Sequence, residues 1–133
     1  QHLRGYSVRA VEYAEFKRRA EPRWLDEHDA SEDQVLQDFA APTLLLLDDI
    51  GYGDPYRGVT DHERRLFLEL VKNRCATGRF TWLTTNLSQS GENPLARLAS
   101  YGESAISRLR EDCHVFGFHR QPNYRERAQE AGA

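Results

Sequence analysis

The chain has 133 residues, 39% of them hydrophobic and 29% charged, and carries a net charge of −3 at neutral pH. That is enough apolar material for one domain with a core, and too little chain for two. The slightly negative balance gives no global pull toward nucleic acid, and the longest apolar run, Leu44 to Leu47, falls far short of the roughly 20 residues of a membrane span. A dedicated basic DNA-binding domain and a transmembrane segment are therefore both unexpected.

The chain opens Gln1-His2-Leu3-Arg4 and contains no methionine, so no charged-then-apolar start of a signal peptide is expected, and its first residue reads as a cut or an incomplete open reading frame. Cys75 and Cys113 have neither a CxxC partner nor a histidine at ligand spacing. This argues against a disulfide framework or structural zinc, and for a reducing, cytoplasmic home. Only two of the eighteen basic side chains are lysines, Lys17 and Lys72.

In chain order, the weak alternation of Tyr6 to Val11 predicts a short strand, and the stretch from Tyr13 to about Ala20 a helix. Ser31-Glu32-Asp33-Gln34 has the spacing of a capping box, with Val35, Leu36 and Phe39 as the apolar face of the helix it starts. Pro42 ends that helix. Thr43 to Leu47 is then a continuous apolar run of strand length, the pattern of a strand buried on both faces of a parallel sheet. Two aspartates close it. A glycine- and proline-punctuated loop, Gly51 to Gly58, leads to a second capping box at Thr60 and Glu63. The helix behind it places Leu66, Phe67, Leu70, Val71 and Cys75 on one face and stops at Gly78. Phe80 to Thr85 reads as a strand, Pro94 to Ser100 as a helical turn, Ser104 to Arg110 as a helix and Cys113 to Phe118 as a last strand. Strands separated by helices of this length imply an α/β domain with a mostly parallel sheet.

Ligands of open α/β sheets gather at the carboxyl ends of the strands, which is where Asp48 and Asp49 emerge. An apolar strand ending in acid is how a P-loop ATPase holds magnesium, with the next carboxylate poised to orient the attacking water. The plainer alternative is a strand that leaves the core and acquires charge where it meets solvent. A receiver domain also pairs aspartates at a strand end, but needs a lysine on a later strand. Lys17 and Lys72 both fall inside predicted helices, and no later strand ends in aspartate.

The segment Leu44-Leu45-Leu46-Leu47-Asp48-Asp49-Ile50-Gly51-Tyr52-Gly53 resembles the Walker B segment of the DnaC and IstB group of AAA+ ATPases, and the helix from Ser31 to Phe39 is similar to the one that precedes it there. Thr84-Thr85-Asn86 resembles the sensor 1 pair, Ala105-Ile106-Ser107-Arg108-Leu109 the segment of the arginine finger with Ser107 in place of its aspartate, and Asn123-Tyr124-Arg125 the closing Ser-Tyr-Arg of sensor 2. The resemblance spans about residues 5 to 125. It implies a P-loop NTPase, AAA+ three-layer core, here from Walker B to sensor 2 and N-terminally truncated, with ATP and Mg2+ as cofactors. It implies Asp48 on the metal, Asp49 on the attacking water, Asn86 at the γ-phosphate, Thr85 and Arg125 at the nucleotide, and Arg108 acting on a neighbouring subunit of a homo-oligomer. The expected partners are a replicative helicase for a DnaC-like loader, or a transposase for an IstB-like helper, with single-stranded DNA as a further ligand.

Members of the group carry a glycine-rich loop ending in Gly-Lys-Ser or Gly-Lys-Thr, whose amides and lysine hold the phosphates. This sequence contains no Gly-Lys pair. Residues 1 to 133 alone are therefore expected to bind ATP poorly, and, without the strand that group places beside sensor 1, to aggregate. A degenerate domain that survives as a protein-binding module is the non-enzymatic alternative. Arg18-Arg19 and Arg64-Arg65 read as solvated helix faces.

Overall fold

A computed structural model describes residues 2–3, 5–21, 31–51, 58–85 and 98–112. In chain order these form β1 (His2–Leu3), β2 (Tyr6–Glu12), α1 (Tyr13–Ala20), α2 (Glu32–Ala40), β3 (Leu44–Ile50), α3 (Asp61–Ala76), β4 (Phe80–Thr85), a 3-10 turn (Leu98–Tyr101) and α4 (Glu103–Asp112). β2, β3 and β4 run parallel in that spatial order, with Val8 beside Leu44 and Leu44 beside Phe80, and β1 adds an antiparallel pair outside β2. The α/β reading with a mostly parallel sheet holds for these residues. The strand expected at Cys113 to Phe118 lies outside them.

Both predicted caps form. Ser31 Oγ accepts the Gln34 N–H at 3.2 Å, and Thr60 Oγ1 accepts the Glu63 N–H at 3.1 Å. The reciprocal halves of the boxes are put to other uses, because stronger partners stand nearby. The Gln34 side chain donates forward to Asp38 at 2.9 Å, and the Glu63 carboxylate turns inward to Lys17 at 3.0 Å. At the far end of α3, Gly78 takes φ +62 and donates to Cys75 O at 3.1 Å, while Arg79 donates to Arg74 O at 3.1 Å. This is the Schellman closure, which the left-handed glycine permits.

The core is one cluster, knitted by aromatic contacts that run from Phe39 through Phe16, Tyr13 and Tyr101 to Phe67 with ring centroids 4.9 to 6.0 Å apart. Arg74 is buried within the fold, 1% exposed. Its guanidinium donates to the carbonyls of Phe39 (3.2 Å), Ala40 (3.1 Å), Pro42 (2.9 Å) and Phe80, and to Thr81 Oγ1 (2.7 Å). Two of these acceptors are terminal carbonyls of α2, which have no partner within their own helix. Burial, with Arg79 close by, pushes the Arg74 pKa down to about 10.

Right-handed crossovers that step from β2 to β3 to β4 in one direction put every connecting helix on the same face of the sheet. Val11, Leu45, Leu47 and Leu83 accordingly join the helices in the core. On the opposite face Tyr6, Phe80 and Trp82 are 60%, 71% and 61% exposed. Leu44 to Leu47, expected to be buried on both faces, is buried on one: Leu45 and Leu47 are sealed, while Leu44 and Leu46 are half-buried. The described residues thus make two layers of the three expected. The paired arginines stand on exposed helix faces, as expected, and also make local contacts. Arg64 donates to Ser100 O at 2.7 Å and Arg65 reaches Glu32 at 2.7 Å, tying α3 to the 3-10 turn and to α2, and Arg18 and Arg19 both engage Glu15.

Candidate functional site

β3 ends in Asp48, Asp49 and Ile50 at the carboxyl edge of the parallel sheet, where α/β proteins place their ligands. Leu47 pairs with Leu83 and Ile50 with Thr85, so the steps from 47 to 50 on β3 are matched by the shorter interval from 83 to 85 on β4. The extra residue is a β-bulge. Asp49 takes φ +63, the one positive φ among the described non-glycine residues. A regular strand would turn Ile50 to the same face as Asp48. The bulge returns Ile50 to the core, fully buried, and re-aims the two acids between the sheet and its end.

Thr84 is the single β4 residue between the two flanking pairs, and it faces both aspartates. Its hydroxyl accepts the Asp49 backbone N–H at 2.9 Å and donates to Asp48 Oδ1 in a short hydrogen bond. The neighbouring Thr85 donates its hydroxyl to Ile50 O at 2.7 Å. Asp48 is exposed, and Asp49 is half-buried.

Just beyond the acids, Gly51 is held by a buried polar group. The Tyr101 hydroxyl takes the Gly51 backbone N–H, and Tyr13 and Tyr101 both approach Glu63, which is 6% exposed and paired with Lys17. Burial, then Tyr101 and Glu63, push the Tyr13 phenol above the ordinary tyrosine range; burial, then Glu63, does the same to Tyr101. The acidic strand end therefore rests on an anchored base that joins α1, α3 and the 3-10 turn.

Of the residues expected at the site, the structure brings Asp48, Asp49 and Thr85 together at one edge. Arg108 stands on the outer side of α4, in a shallow depression lined by Glu103, Ser104, Ser107 and Glu111, while Ala105, Ile106 and Leu109 of the same helix are buried. Among the described residues no aspartate lines that depression. Asn86 and Arg125 lie outside the described residues. Among the described residues no three acidic, histidine or cysteine side chains converge to hold a metal by themselves. Asp48 offers a hard cation one exposed carboxylate, and any further oxygens would have to come from water or a ligand. Sequence reasoning underrated Thr84, Glu63 and Lys17. Only the pairing of Leu47 with Leu83 sets Thr84 against the acids, and only the packing of α1 on α3 brings Lys17 to Glu63.

Compared with protein-family models and with curated proteins, the chain matches none of them. What fold and site define by themselves is a class: an α/β protein with parallel strands and a clamped pair of aspartates at the carboxyl end of β3, the middle of the three parallel strands among the described residues. Among the described residues no helix is long and apolar enough to cross a membrane.

Proposed function

We propose that this chain is part of an ATP-binding and ATP-hydrolysing domain of the AAA+ type, similar to the DnaC-like helicase loaders of DNA replication. The observation that supports it best is the strand end itself. Asp48 is exposed at the carboxyl edge of a parallel sheet, and Asp49 is held in a left-handed conformation beside it. Such strain is tolerated where surrounding structure enforces it, and it concentrates at functional sites. The strand succession β2, β3, β4 and the exposed position of Arg108 fit the same reading.

In this reading Asp48 holds Mg2+, directly or through a water, and Asp49 orients the water that attacks the γ-phosphate. Magnesium bound there supplies neutralisation of the charge that develops on the phosphoryl oxygens. Thr85 steadies the strand end through Ile50, and Asn86 and Arg125 contact the nucleotide. Arg108, exposed on α4, reaches the active site of a neighbouring copy, which makes the working form a homo-oligomer with a replicative helicase, or in the IstB-like variant a transposase, as its partner. A second reading is a protein-binding module without ATP chemistry; the 133 residues contain no Gly-Lys pair, so the sequence upstream of them decides between the two.

ATP hydrolysis by this chain and by the same chain extended upstream through any phosphate loop separates the two. The extended protein should hydrolyse ATP, and Asp48→Asn should lower the rate by at least about 100-fold, since a bound metal supplies several kcal/mol of transition-state stabilisation. If both proteins fold and neither hydrolyses ATP, the binding module is the better account.

A further inference from the structure

We propose that Thr84 is the positioning residue of this acidic site, a single hydroxyl that sets the Asp48 carboxylate and the Asp49 backbone together; the inference rests on the ATPase reading above. A threonine hydroxyl has one proton to give and lone pairs to receive. The Asp49 N–H takes a lone pair at 2.9 Å, so the proton goes to Asp48 Oδ1. Each bond thereby sets the direction of the other. The bulge makes the arrangement possible, because Thr84 is the one β4 residue set against two residues of β3, Asp48 and Asp49, between the Leu47–Leu83 and Ile50–Thr85 pairs.

Two consequences follow from this geometry. Asp48 Oδ1 is committed to Thr84, so the carboxylate meets a cation chiefly through Oδ2, as a single-oxygen ligand in a fixed orientation. The N–H of Asp49 is fastened to β4, which holds the left-handed turn that separates the two acids into two roles. Loss of the hydroxyl would free both at once. A partner that orients a metal-binding carboxylate is commonly worth about 10- to 100-fold in metal affinity or activity.

The test uses the intact protein that carries this chain, with Thr84→Val, which keeps the shape and removes the hydroxyl, and Thr84→Ser, which keeps the hydroxyl. The readouts are the Mn2+ concentration for half-maximal ATP hydrolysis, kcat and KM for ATP at saturating metal, and the melting temperature. Thr84→Val should raise the metal requirement and lower kcat by about 10- to 100-fold, with KM for ATP and the melting temperature nearly unchanged. Thr84→Ser should recover most of both. Should Thr84→Val fail to fold, Thr84→Ala replaces it. A Thr84→Ser protein as defective as Thr84→Val would overturn the inference, because the hydroxyl would then not be what matters. So would a Thr84→Val protein with the parent's metal requirement while Asp48→Asn is inactive, an outcome that leaves the ATPase reading standing. An Asp48→Asn protein as active as its parent removes the reading and the inference with it.

Discussion

Asp49 holds a conformation in which an L side chain crowds its own carbonyl, and the cost of φ +63 is of the order of 1 kcal/mol for a residue of this type. Glycine escapes that crowding but has more freedom to lose on folding. Asp49→Gly should therefore raise the unfolding free energy by roughly 0.5–1 kcal/mol in urea titration and, on the proposed ATPase reading, remove ATP hydrolysis from the intact protein. A loss of stability would mean that the Asp49 side chain contributes more to the fold than its backbone costs. In the sequence Asp49 was legible as an acid at a strand end. Its backbone state was not, because a bulge depends on the partner strand's register, and Leu83 to Thr85 lie more than thirty residues away.

At the scale of elements, Arg74 does more than any other described polar side chain to join one to another. From α3 it binds the last carbonyls of α2, the Pro42 carbonyl that follows, and both Phe80 and Thr81 at the start of β4. Truncation would open a cavity and take a donor from each of these acceptors, of which Ala40 O keeps Arg79 at 2.6 Å, so Arg74→Ala should cost about 3 kcal/mol or more. Arg74→Lys should recover less than half of that, since an ammonium has three donors and no planar fork to span the set. Chemical denaturation of the three proteins checks both, and a loss under about 1 kcal/mol in Arg74→Ala would sink the clamp. Helix α3 itself was readable from its apolar spacing and its Thr60 cap. Arg74 lies on the same stripe as Phe67, Leu70 and Val71, yet a charged residue there reads as solvated until the packing of α2 shows which carbonyls receive it.

At the largest scale, the described parallel strands advance in one direction and the helices that connect them share one face, which leaves Phe80 and Trp82 more than 60% exposed on the other. A parallel sheet is ordinarily covered on both faces, and an exposed apolar sheet surface promotes self-association. The isolated chain should therefore associate, and Phe80→Lys with Trp82→Lys should make it more monodisperse in light scattering. Their side chains touch little of the core, so stability should stay within about 1 kcal/mol of the parent. A loss of several kcal/mol would show that these rings pack against the fold.

The sequence by itself determined the succession of described elements from β2 to α4, the two helix caps, the Gly78 stop, the strand that ends in Asp48 and Asp49, and the α/β class, because periodicity, capping and turn chemistry act over a few residues, whereas β1 was not read. Tertiary structure alone decided the bulge that separates the two acids, the hydroxyl of Thr84 that holds them, the inward turn of Glu63 to Lys17 and the one-sided cover of the sheet. The first three are contacts between segments about 35 to 46 residues apart, and no local pattern encodes which distant residue a side chain will meet.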